Sequence, residues 1–169
     1  MNPPIISIVS KKGTGKTTLL EKLIVELKSR GYRVGVVKHD AHSFNIDHEG
    51  KDSWRLTQAG SDVTLITSPA KVVMVKRNSE EQEPTLAEAV NAYCHGMDLV
   101  LTEGFKRSPM PKIEVHRQER SATLMCRGDE HDPTLVAVAS DQPLQLDVPV
   151  FHIDDAAGMA DLIVARFLS

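Results

Sequence analysis

At 169 residues, with 41% hydrophobic and 25% charged side chains, the chain has the size and composition of one soluble globular domain with a real core. A formal net charge of -3 lacks the basic footprint of nucleic-acid binders, so direct contact with DNA or RNA is not expected. No run approaches the roughly 18 apolar residues of a membrane span, and the widely spaced Cys94 and Cys126, without C-x-x-C spacing, are expected to be reduced core residues.

Met1-Asn2-Pro3-Pro4 leads directly into an apolar run, so a cytoplasmic chain without a cleavable leader is expected. Ile5, Ile6, Ile8 and Val9 predict a short buried strand, and Leu19, Leu20, Leu23, Ile24 and Leu27 recur at helical spacing until Gly31. Between them Ser10-Lys11-Lys12-Gly13-Thr14-Gly15-Lys16-Thr17 fits G-x-x-x-x-G-K-[ST] everywhere except the first position. Strand, glycine turn and helix in that order make a phosphate-binding loop. Gly13 and Gly15 let the backbone curl so that main-chain N–H groups from Lys12 to Thr18 face an anion at the positive end of a helix. Lys16 then reaches the β- and γ-phosphates, and the Thr17 hydroxyl is a Mg²⁺ ligand.

Beyond Gly31 the chain alternates strand and helix signals, which predicts a three-layer α/β fold built on a mostly parallel sheet with helices on both faces. Residues 33–38 read as a second strand that delivers Lys38, His39 and Asp40 to the sheet edge holding the phosphate loop. A polar loop over 41–51, a short helix over 52–59 and an inserted hairpin of strands 62–67 and 71–77 follow. The polar stretch 78–84 precedes a helix opened by Thr85. Residues 98–102 form a buried strand ending in Glu103-Gly104. Further strands are expected at 112–117, 135–139 and 150–153, and a last helix over 156–167, within a single nucleotide-binding domain spanning 1–169.

A bound Mg²⁺ takes oxygen ligands and usually one carboxylate beside the hydroxyl and the phosphates. Glu103 is the first choice, because it directly follows an apolar strand; Gly104 would let a main-chain N–H approach the γ-phosphate, and Asp40 and Asp47 are weaker candidates. Lys16 and Glu103 are thus the candidate catalytic pair. For base choice, guanine-reading loops commonly carry N-K-x-D, and here Val138-Ala139-Ser140-Asp141 keeps only the Asp, so Asp141 is the candidate for the guanine N–H donors; the same residues also read as a turn.

Taken together, Gly13 to Thr18, Lys38-His39-Asp40-Ala41-His42, Gly50-Lys51-Asp52-Ser53, Glu103-Gly104-Phe105-Lys106, Pro111-Lys112-Ile113 and Val138 to Asp141 resemble the molybdopterin-guanine dinucleotide biosynthesis protein B (MobB) family. The resemblance covers essentially the whole chain. It implies a homodimeric GTP-binding adaptor of the SIMIBI class with weak GTPase activity. The implied partner is the MobA guanylyltransferase, which joins GMP from GTP to molybdopterin. It further implies that Gly13 to Thr18 cradle the phosphates, Glu103 serves the metal and Asp141 faces the base.

The loop is also similar to the K-G-G-x-G-K-[ST] form, in which an early lysine reaches a partner's nucleotide; Lys11 holds that place here, and an exposed loop lysine is the plainer alternative. Two other functions stay open on the residues. His39, His42 and His48 suggest a P-loop metallochaperone delivering Ni²⁺ or Zn²⁺, although no His-rich tract is present. Lys106 and Arg107 suggest the cations of a small-molecule kinase, although no arginine-rich lid is evident. The Arg127-Gly128-Asp129 triplet reads as a chance surface loop.

Overall fold

In a computed structural model of the chain, which describes residues 2–40, 47–78, 82–128 and 131–168, the backbone falls into two compact units, Met1–His39 with Leu86–Ser169, and Asp40–Thr85. The first unit begins with β1 (Ile5–Val9), α1 (Lys16–Ser29) and β2 (Val34–Lys38). It resumes with α3 (Leu86–Tyr93), β5 (Leu99–Glu103), β6 (Lys112–His116), β7 (Leu135–Ser140), β8 (Val150–His152) and α4 (Ala156–Phe167). The second unit holds α2 (Asp52–Gln58), β3 (Val63–Thr67) and β4 (Val72–Lys76).

The six strands of the first unit form one parallel sheet in the order β2-β5-β1-β6-β7-β8. Runs such as Leu-Val-Leu in β5 and Leu-Val-Ala-Val-Ala in β7 are buried along their whole length, as strands covered on both faces require. Alternation along β5 separates the two faces: Leu99 and Leu101 join a core formed with α1 and α4, while Val100 packs with Leu86 and Val90 of α3. On α1 the apolar stripe of Leu19, Leu20, Leu23 and Leu27 enters the larger core.

The helix ends as its sequence predicts. Gly31 adopts φ 89°, its N–H donates to the Lys28 carbonyl at 3.0 Å, and the Tyr32 N–H donates to the Leu27 carbonyl at 3.2 Å. This pair of bonds satisfies two carbonyls that would otherwise end unpaired. β1 lies at the switch point of the sheet, because β5 flanks it on one side and β6 on the other. The crevice beyond the carboxyl end of such a strand is where open α/β sheets bind ligands.

The second unit is built differently. β3 and β4 pair antiparallel, with Leu65 opposite Met74, and form a two-stranded sheet of their own. The Thr57 hydroxyl of α2 donates to Thr64 at 3.0 Å, and Arg77 Nη2 donates to the Thr57 carbonyl at 2.6 Å. Among the described residues of this unit only Thr64 is buried. No described helix of the chain is long and apolar enough to cross a membrane.

Candidate functional site

The loop from Ser10 to Gly15 leaves β1 and enters α1 through two residues in left-handed backbone, Gly13 at φ 78° and Gly15 at φ 98°. Only glycine enters that region without strain, which explains both positions. The first helical hydrogen bond runs from the Leu19 N–H to the Gly15 carbonyl at 3.0 Å. Among the described residues, the amides of Gly15, Lys16, Thr17 and Thr18 donate to no protein acceptor, and no side chain caps the helix. Four donors are thereby left at the positive end of a helix, an arrangement suited to phosphate oxygens.

Side chains complete the loop. The Thr14 hydroxyl donates to the Lys11 carbonyl at 3.2 Å, and Lys16 Nζ donates to the Ser10 hydroxyl at 3.0 Å. The residue that departs from the loop consensus therefore holds the Lys16 ammonium. Thr17 Oγ1 donates to Glu103 Oε1 at 3.1 Å, so the strand end of β5 and the first turn of α1 bring hydroxyl and carboxylate together. Lys38 Nζ, at the end of the neighbouring β2, stands 3.9 Å from Glu103 Oε2. Hydroxyl and carboxylate oxygens are the ligand chemistry that Mg²⁺ takes.

Gly104, Lys11 and Asp141 each have a protein partner that their sequence does not show. The Gly104 N–H is not offered to a ligand: it donates to the Ile8 carbonyl at 3.1 Å, extending the β1–β5 ladder. What Gly104 contributes is backbone at φ 95° beside His39, whose Cβ lies 3.6 Å from where a side chain would begin. Lys11 is engaged within its own chain, donating to the Ser121 hydroxyl at 2.6 Å and to the Thr123 carbonyl and hydroxyl at 3.0 Å each. Asp141 follows β7 as expected, yet one of its oxygens is taken, Oδ1 accepting from the Gln118 N–H at 3.1 Å. Its neighbours Ser140, Leu144, Phe151 and His152 line with it a cavity of about 370 Å³.

The histidines do not form a described cluster. The His39 ring meets Phe105 edge-on at 5.2 Å, His48 is exposed, and His42 lies outside the described residues, as does Asp129 of the Arg-Gly-Asp triplet. Among the described residues no three His, Cys, Asp or Glu side chains are grouped to hold a metal ion. Lys106 and Arg107 line a second cavity of about 570 Å³ with Lys112, Cys126 and Asp132. Lys112 is buried and closed off, its Nζ donating to the Ser108 carbonyl and Thr134 hydroxyl at 2.6 Å each and pairing with Asp132 at 3.1 Å. Burial and the nearby Glu114 push the Cys126 thiol up to about 12, which makes it a structural residue, and Cys94 is half-buried.

Sequence reasoning passed over Arg117. Its Nε donates to the Thr14 carbonyl at 3.0 Å, bringing a guanidinium from the end of β6 against the phosphate loop. A lone arginine after a strand carries no motif, so only the register of β6 against β1 exposes it.

Comparison with known proteins agrees with this architecture. Residues 5–141 match the family profile of "Molybdopterin guanine dinucleotide synthesis protein B". The chain is 40% identical over 161 residues to the molybdopterin-guanine dinucleotide biosynthesis adapter protein of Haemophilus influenzae, covering 95% of this chain and 87% of that protein. It is 38% identical over 165 residues to the adapter protein of Escherichia coli, covering 95% and 91%. A crystal structure of molybdopterin-guanine biosynthesis protein B superposes with a TM-score of 0.76 at 30% identity, covering 98% of this chain and 99% of that one.

Proposed function

Since the chain belongs to the family of molybdopterin guanine dinucleotide synthesis protein B, we propose that it is a GTP-binding adaptor with weak GTPase activity. In this role it assists the MobA-like guanylyltransferase that attaches GMP to molybdopterin in molybdenum cofactor biosynthesis. The single observation that carries the nucleotide part is the set of amides from Gly15 to Thr18, without a protein acceptor among the described residues, beside Lys16 and the Thr17–Glu103 pair.

In this reading the two units act as one cytoplasmic nucleotide-binding domain with residues 40–85 as an insertion. The phosphates lie on the amides of residues 12 to 18, and Lys16 leaves Ser10 to meet them. Thr17 and Glu103 would hold Mg²⁺, which when bound neutralises phosphate charge. Asp141 turns its second oxygen to the guanine donors. Exposed apolar residues of the hairpin, Leu65 at 58% and Val72 at 64%, support the expected homodimer. Among the described residues no group of side chains favours nickel or zinc delivery.

Calorimetry of GTP against ATP with Mg²⁺ tests the reading. GTP should bind more tightly than ATP, Lys16→Ala should abolish binding of both, and Asp141→Asn should remove the preference. Equal affinity of the native protein for both nucleotides would remove the role of Asp141. Co-sedimentation with the purified guanylyltransferase, with and without GTP and molybdopterin, tests the adaptor role, and failure to associate under all conditions would end it.

A further inference from the structure

The carbonyl and N–H of one trans peptide point in opposite directions. Arg117 Nε donates to the Thr14 carbonyl at 3.0 Å, so the guanidinium stands behind the peptide whose front is the Gly15 N–H. That N–H is one of the donors without a protein acceptor among the described residues. Arg117 Nε and Nη2 both lie 3.8 Å from where a Gly15 Cβ would be, which places the cation against this peptide and no other of the loop's glycines.

We propose that Arg117 is a positioning residue for anion binding: it locks the 14–15 peptide with its N–H turned to the ligand, and polarises that N–H by drawing charge onto the Thr14 carbonyl. The inference rests on reading the loop as a nucleotide site. A charge-assisted bond from behind makes the amide a stronger donor, and a fixed peptide needs no reorganisation when phosphate arrives. The turn is itself held, because the Arg117 carbonyl accepts from the Arg120 and Ser121 amides at 3.0 and 3.1 Å. The next residue, Gln118, gives its N–H to Asp141, so one turn at the end of β6 fixes both the phosphate loop and the candidate base carboxylate.

The experiment compares the full-length native chain, Arg117→Ala, Arg117→Lys and Lys16→Ala by calorimetry with GTP, GDP and ATP, and by amide NMR without ligand. Arg117→Ala should weaken both nucleotides by about tenfold, as loss of a charge-assisted bond predicts. Arg117→Lys should recover most of this, and the preference for GTP over ATP should not change. The Gly15 amide resonance should move in unliganded Arg117→Ala while those of β5 and β7 stay, which a general loss of stability would not produce. Should Arg117→Ala not fold, Arg117→Gln gives the same comparison with a donor retained and the charge removed. Native protein that binds GTP, beside Arg117→Ala, or Arg117→Gln in its place, within about twofold of it, overturns the role of Arg117 alone. Native protein that binds neither nucleotide overturns the nucleotide site as well.

Discussion

The two compact units solve the problem of a core in opposite ways. In the first, β5, β6 and β7 are buried almost throughout and helices cover both faces of the sheet, so apolar burial offsets the chain entropy locally. In the second, Val63, Leu65, Ile66, Val72 and Met74 of the hairpin are all more than a third exposed. A two-stranded hairpin is marginal in water without a covered apolar face. The contrast teaches that stability resides in the sheet carrying the phosphate loop, while the inserted unit leaves apolar side chains exposed.

Substitutions should separate the units by size of effect. Leu23→Ala, at a side chain of 0% exposure in α1, should destabilise the chain by about 3 kcal/mol in urea unfolding. Asp132→Ala leaves the buried Lys112 ammonium without its carboxylate. Because Asp132 keeps about a quarter of its side chain in water, the loss should be nearer 2 kcal/mol than the full value for a wholly buried pair.

The same pair gives a pH test. Burial works against the Asp132 carboxylate, but hydrogen bonds from Thr134 and Lys112 prevail and hold it below its ordinary value of 3.8. A lowered native pKa contributes stability that is present above the unfolded value and lost as pH falls through the native one. Unfolding midpoints should therefore drop below about pH 4, and Asp132→Asn should flatten that dependence. A variant as acid-sensitive as the native protein would show that other carboxylates control it.

The smallest effect should come from the hairpin. Leu65→Ser should change monomer unfolding by less than about 0.5 kcal/mol, measured at concentrations where the chain is monomeric. A large loss there would break the contrast between the units by showing that the hairpin is buried in the monomer.

Much of the site was legible because its chemistry is local. Residues 10–17 need glycines at fixed offsets to reach positive φ, and Gly13 and Gly15 adopt it. Glu103 was legible as the end of an apolar strand, and it meets Thr17. Gly104 and Lys11 were not, since the ladder that takes the Gly104 amide and the loop at 121–123 that takes the Lys11 ammonium lie far along the chain. Arg117 contacts Thr14 across more than a hundred residues, so no spacing rule could link them.

The sequence by itself determined the elements of a parallel sheet, the stop of α1 at Gly31 and the phosphate loop, because periodicity, positive φ and helix ends depend on neighbouring residues. Tertiary structure alone decided which strand flanks β1 on each side. It thereby decided that Glu103 faces Thr17 from β5 while Arg117 stands behind Gly15 from β6. Strand order is settled by the packing of distant side chains into a common core, and that energy is not written in any local stretch.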